Sequence, residues 1–243
     1  MKERLKLDVA YAQQPFPGKD QDRLLVRDAV GLYAVIDGMS NPSGGAIAAD
    51  IIKQTLAEHA TEHMIIGSVL FESQKRLMKM HSHGFIEKEA GAVVTACQID
   101  RSSRVMNYTQ IGDSRMMLFR RFIQQDGSVD IEPFFFTKAE LFGGGVSNFV
   151  GAYNPATFVI DQYGKLQVQV GDRIVIMTDG IDGGANNYET TNKLWEHVIN
   201  EGTALSCAQK LLNLCYQDMD YVLERHDPYY IPDDKTVIVI DVE

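Results

Sequence analysis

Cysteine is scarce in this chain of 243 residues: Cys97, Cys207 and Cys215 are the only three. An odd number without CxxC spacing argues against a disulfide framework and a thiolate metal site, and fits a reducing compartment. Positive charge is also short. Lys and Arg number 23 against 33 Asp and Glu, a net charge of −10, whereas a nucleic-acid binder needs clustered cations; no nucleic-acid partner is expected. No apolar run approaches the roughly 18 residues of a membrane span, and the opening MKERLKLDVAYAQQ has no apolar core of signal-peptide length. A cytoplasmic protein with no membrane partner is the expectation. Linkers, low-complexity tracts and fixed-period repeats are missing too, so residues 1–243 are expected to form a single domain.

What is present reads mostly as strand. Period-2 alternation and β-branched runs predict strands at Leu24–Val26, Leu32–Ile36, Val93–Asp100, Arg104–Gln110, Met116–Arg120, Leu166–Val170, Arg173–Thr178 and Thr236–Val242. Helical spacing of apolar residues predicts helices over Gly44–His63, Ser68–Met80 and Thr203–Val222, with a shorter one at Asn192–Ile199. Strands in runs, with helices between the runs, predict an α+β fold of antiparallel β-sheets packed between helical layers.

Acidic residues gather at the strand ends. Asp37-Gly38 closes the run LYAVI and Asp179-Gly180 closes RIVIMT, so strand, Asp, Gly occurs twice. An aspartate there is held by a rigid element, and the glycine lets the backbone turn and present its carbonyl. Asp22, which opens RLLV, and Asp233, in PDDKTVIV, belong to the same pattern. Four carboxylates meeting at one sheet edge cannot all stay ionised without a cation. An all-oxygen set selects a hard divalent ion such as Mg²⁺ or Mn²⁺. Any one Asp-Gly pair is an ordinary turn signal; the four with their flanks are less ordinary.

The motifs KDQD, YAVIDGM, IGDSR at 111–115, GDRIVIMTDGI and DDKTVIV, in that order, resemble the type 2C metal-dependent protein phosphatases over about residues 8–242. The resemblance implies two antiparallel β-sheets between helical layers, two Mn²⁺ or Mg²⁺ ions, and hydrolysis of phosphoserine and phosphothreonine in a phosphorylated protein substrate. A monomer is expected. It makes Asp37 the bridging ligand, Gly38 a carbonyl ligand, Asp179 and Asp233 the other carboxylates, and Asp22 a residue that orders ion-bound water. Asp113 of IGDSR matches a ligand of a third ion in some members, a reading weighed equally against a plain turn held by Asp113 and Arg115. Ions of this kind activate water, so no protein nucleophile is required.

The chain departs from the family pattern in places. Gln21 stands where a glutamate is usual, Met39 follows Gly38, and the phosphate-binding arginine ahead of Gln21 is missing. Lys19, the only cation between Leu7 and Asp22, is the candidate substitute, as a point charge without the bidentate fork. The stretch from Phe134 to Gly151 leaves little room for the family's substrate flap, and Gly143, Gly144 and Gly145 are read as a mobile turn. These departures keep open an alternative: a catalytically weak or inactive phosphatase-like binding module. A further rival is zinc at His59-Ala60-Thr61-Glu62-His63, which fits HxxEH if both histidines ride one helix, with Glu132 or Glu140 as third ligand.

Overall fold

The computed structural model describes residues 4–39, 44–126, 129–138, 141–142, 145–146, 148–152, 158–182, 196, 198, 202–213 and 233–243. Among these, β1 (Leu7–Gln14), β2 (Arg23–Arg27) and β3 (Leu32–Gly38) precede the helices α1 (Gly45–Glu58) and α2 (Ile66–Ser82). Next come β4 (Ala92–Asp100), β5 (Val105–Ile111), β6 (Arg115–Ile123), β7 (Val129–Phe136), the short β8 (Leu141–Phe142) and β9 (Gly145–Val146), and β10 (Gln162–Gln167). The chain closes with β11 (Arg173–Met177), a single helical turn α3 (Asp179–Asp182), a helix α4 over 204–213, and β12 (Lys235–Val242).

Two five-stranded antiparallel sheets result, ordered β1-β12-β11-β6-β7 and β10-β5-β4-β3-β2. Strands buried on both faces read as continuous apolar runs, and side-chain parity sorts those runs into layers. In β3, Tyr33 and Val35 face the other sheet while Leu32, Ala34 and Ile36 face α1 and α2. Ile174 and Ile176 of β11 and Ile238 and Ile240 of β12 fill the same inter-sheet core. Their neighbours Val175, Met177, Val237 and Val239 pack outward against Ala204, Cys207, Ala208 and Leu211 of α4. The order is therefore helix, sheet, sheet, helix, as the sequence predicts. Each fully buried Ile, Val or Leu contributes about 1.5–3 kcal/mol through its removal from water.

Several element boundaries differ from the sequence reading. α1 stops at Glu58, short of His63, because Met64 and Ile66 turn back into the core beneath α1 and α2. β10 runs over Gln162–Gln167 and leaves Val170 exposed. Four strands went unread: the two-residue β8 and β9, and the longer β1 and β7. β1 is a half-exposed edge of alanine and glutamine that pairs with β12 from Leu7↔Val242 to Gln14↔Lys235. β7 contains Pro133, which breaks a strand pattern; it lies opposite Phe119 at a register shift on an edge strand, where the missing N–H costs no ladder bond. Of the helix read at Thr203–Val222, 204–213 is helical and the remainder lies outside the described residues. Of Asn192–Ile199, only Glu196 and Val198 are described, both helical. Gly145 belongs to β9; Gly143 and Gly144, and with them the turn read there, lie outside the described residues.

No helix among the described residues is long and apolar enough to cross a membrane. The zinc reading does not hold. His59 caps the end of α1 with Nδ1 2.9 Å from the Thr55 carbonyl, and the chain has left the helix before His63. Glu140, one of its two candidate third ligands, lies outside the described residues.

Candidate active site

At one end of the inter-sheet core the same parity that places isoleucines begins to place oxygen. Asp37 continues the inward row of Tyr33 and Val35, Thr178 that of Ile174 and Ile176, and Thr236 that of Ile240 and Ile238. Asp22, 1% exposed, enters from the loop before β2. Its Oδ2 accepts hydrogen bonds from Thr178 Oγ1 at 2.9 Å and Thr236 Oγ1 at 2.8 Å. Burial pushes the Asp22 carboxyl up to about 7, against the pull of those two hydroxyls.

Asp37 lies well above the usual carboxylate range, first because it is buried and then because Asp22, Asp179, Asp113 and Asp233 all face it. Asp179 is raised by burial and by Asp233, and lowered by a hydrogen bond shared with Asp37, by the Gly180 backbone and by Lys19. Five carboxylates proposed from sequence thus lie within electrostatic reach of one another. Lys19 joins them: its Nζ is 3.0 Å from Asp233 Oδ2, with side-chain exposures of 19% and 26%. Asp113 is buried in the turn between β5 and β6, beside Gly112, whose N–H donates to Asp161 Oδ2 at 2.7 Å. Gly112 has φ 90°, which favours glycine.

The glycines after the aspartates permit close backbone approach. A Cβ at Gly38 would lie 2.6 Å from the Gly45 carbonyl and 2.8 Å from that of Gln21, so strand β3 can end against the start of α1 only without a side chain. Gln21 extends its Nε2 to the Met39 carbonyl at 3.4 Å, a long contact between the two segments.

The donor set fits hard divalent cations. Asp179 Oδ1 is buried with no hydrogen-bond partner, an unmet acceptor on a residue that Asp233 and Asp37 influence. Such a cluster keeps its charge only beside a cation. Among the described residues, no set of three or more histidine, cysteine or carboxylate side chains is drawn together tightly enough to hold an ion alone.

Sequence reading missed three parts of this site. Thr178 and Thr236 looked like ordinary β-branched strand ends, although their inward parity marked them. Asp234 was passed over beside Asp233; its carboxylate accepts backbone N–H bonds from Phe16, Asp20, Gln21 and Asp22.

The family model described as protein phosphatase 2C matches residues 18–214. No curated protein matches the chain in sequence. Among solved structures, PppA, a regulatory component of the type VI secretion system of Pseudomonas aeruginosa, superposes with a TM-score of 0.74 at 15% identity, covering 99% of this chain and 100% of that one. The catalytic domain of the serine/threonine protein phosphatase PstP, in complex with two manganese ions, gives 0.71 at 16% identity over 98% and 99% of the two chains. RsbX in complex with magnesium gives 0.60 at 15% over 99% of each.

Proposed function

Since the chain belongs to the protein phosphatase 2C family, we propose that it is a metal-dependent phosphatase that hydrolyses phosphoserine and phosphothreonine in protein substrates. The observation that carries this reading is the ring of Asp22, Asp37, Asp113, Asp179 and Asp233, with a buried, unpartnered oxygen on Asp179. Asp37, Asp179 and Asp233, with the Gly38 carbonyl, hold two Mn²⁺ or Mg²⁺ ions, and Asp113 is the candidate for a third. Bound ions of this class supply activated water and screen the phosphate charge. Asp22, fixed by Thr178 and Thr236, orients water at the ring. The site draws on segments from Lys19 to Asp233, and we read the whole chain as one catalytic unit acting as a monomer. The buried free thiol of Cys97 fits a reducing cytoplasm.

Turnover of p-nitrophenyl phosphate and of phosphoserine or phosphothreonine peptides with Mn²⁺ tests this. Activity is expected to vanish with EDTA and return with Mn²⁺ or Mg²⁺. Undiminished turnover in metal-free buffer overturns the mechanism. Absent turnover with ions bound makes the chain a phosphatase-like binding module instead.

Lys19 is the proposed phosphate contact. Its ammonium already pairs with a ring carboxylate, and a flexible point charge holds ground and transition states about equally. Lys19→Ala is expected to raise KM for phosphopeptides several-fold, with kcat changed less. Steady-state kinetics with both parameters unchanged would remove Lys19 from the site.

A further inference from the structure

We propose that Asp234, which is none of the proposed ion ligands, is the positioning residue that sets the ring's geometry by tying the 16–22 loop to the ends of β11 and β12. Three chain segments meet on this one residue. Its side chain is buried, 1% exposed, and both oxygens are used. Oδ1 accepts the N–H of Phe16 at 2.6 Å and of Asp20 at 3.2 Å; Oδ2 accepts the N–H of Gln21, and of Asp22 at 3.2 Å. Those bonds span more than 210 residues of sequence and fix the segment that carries Lys19 and Asp22.

Its backbone works on the other two segments. The Asp234 N–H donates to Asp233 Oδ1 at 2.8 Å, leaving Oδ2 of Asp233 toward Lys19. The Asp234 carbonyl lies against Gly180, so close that a Cβ there would overlap it, which locks the turn after Asp179. Asp22, Asp179 and Asp233 are thus spaced by contacts to a residue that is none of them.

The chemistry suits a carboxylate. The Arg23 guanidinium bears on it electrostatically, and a buried charge is tolerable when several N–H groups converge on it as well. Four do, and they converge because the loop curls. Asp20 adopts φ 67°, a left-handed conformation unusual for a non-glycine residue, which persists only where surrounding contacts over-determine it. The Asp234 hub supplies them.

The kinetic side of this inference rests on the phosphatase reading; the structural side does not. Amide hydrogen exchange of the ion-free protein, read by NMR, and calorimetric Mn²⁺ titration compare wild type with Asp234→Ala and Asp234→Asn. Asp234→Ala is expected to speed exchange at Phe16, Asp20, Gln21 and Asp22 at least tenfold, to leave the strand centres unchanged, and to weaken Mn²⁺ binding about 10- to 100-fold, the range for residues that orient metal ligands. Asp234→Asn keeps one acceptor oxygen, so it is expected to fold and to show the same changes more weakly; it decides the matter if the alanine variant does not fold. Unchanged exchange at the four amides overturns the proposal. So does released exchange with Mn²⁺ affinity within twofold of wild type, or a uniform rise across β11 and β12, which would mark a merely structural residue. A wild type without phosphatase turnover would defeat the proposed function, while exchange and Mn²⁺ titration would still decide the role of Asp234.

Discussion

Asp37→Asn is expected to lower kcat at least about 100-fold with saturating Mn²⁺, while raising the melting temperature of the ion-free protein. The two effects have one cause. Asp37 faces Asp22, Asp179, Asp113 and Asp233, and its carboxyl is pushed well above its ordinary range by burial and by those neighbours. The amide keeps the shape and removes the charge. Without an ion, a repelling charge is gone and the folded state gains. With ions, the charge that held them is gone, and residues one shell further out already cost 10- to 100-fold when lost. Asp179→Asn is expected to act with the same sign in both measurements, because burial and Asp233 raise it similarly. Wild-type kcat in either variant, or a lower melting temperature for the ion-free protein, would contradict the assignment.

The strand-end aspartates were legible for a physical reason. Strands buried on both faces cannot carry a charge in the middle, so LYAVI and RIVIMT run apolar until Asp37 and Asp179 mark the point where the inter-sheet core ends. Parity turns Asp37 inward with Tyr33 and Val35, whereas Asp179 follows the inward-facing Thr178 and is placed by the turn into α3 rather than by strand parity. Thr178 and Thr236 obey the same parity, but threonine is common in strands, and only the Asp22 carboxylate between them reveals their use. Asp234 was illegible for another reason. Its partners lie more than 210 residues away, and no local pattern announces four backbone amides converging on one side chain. The edges β1 and β7 were missed because alanine, glutamine and proline carry weak strand signals, and their pairing with β12 and β6 decides the structure. The end of α1 went unread because helical periodicity cannot foresee that Met64 and Ile66 are needed in the core.

The acidic ring also couples stability to pH, and a bound ion opposes that coupling. Asp22 is raised from 3.8 to about 7, and Asp37 and Asp179 are raised as well. A carboxyl whose folded pKa lies above its unfolded value binds more protons when folded, so its stabilising contribution is complete below about pH 4 and is lost as pH rises through the folded pKa. Asp28, Asp100 and Glu58 are shifted downward; their contribution runs the other way but is complete above about pH 5, so it leaves the upper window clear. Between about pH 5 and pH 8 the ion-free protein is therefore expected to lose about 3 kcal/mol from Asp22 alone, at 1.36 kcal/mol for each unit of pH up to its folded pKa. For a chain of this size that is roughly 6–12 °C of melting temperature. Mn²⁺ binds the ionised ring and opposes the loss, so the gain in melting temperature on adding Mn²⁺ is expected to grow with pH over the same window. Differential scanning calorimetry at several pH values, with EDTA or with Mn²⁺, measures both curves. An ion-free melting temperature that rises from pH 5 to pH 8, or an Mn²⁺ gain that is flat across it, would mean that these carboxylates are not held together as the structure places them.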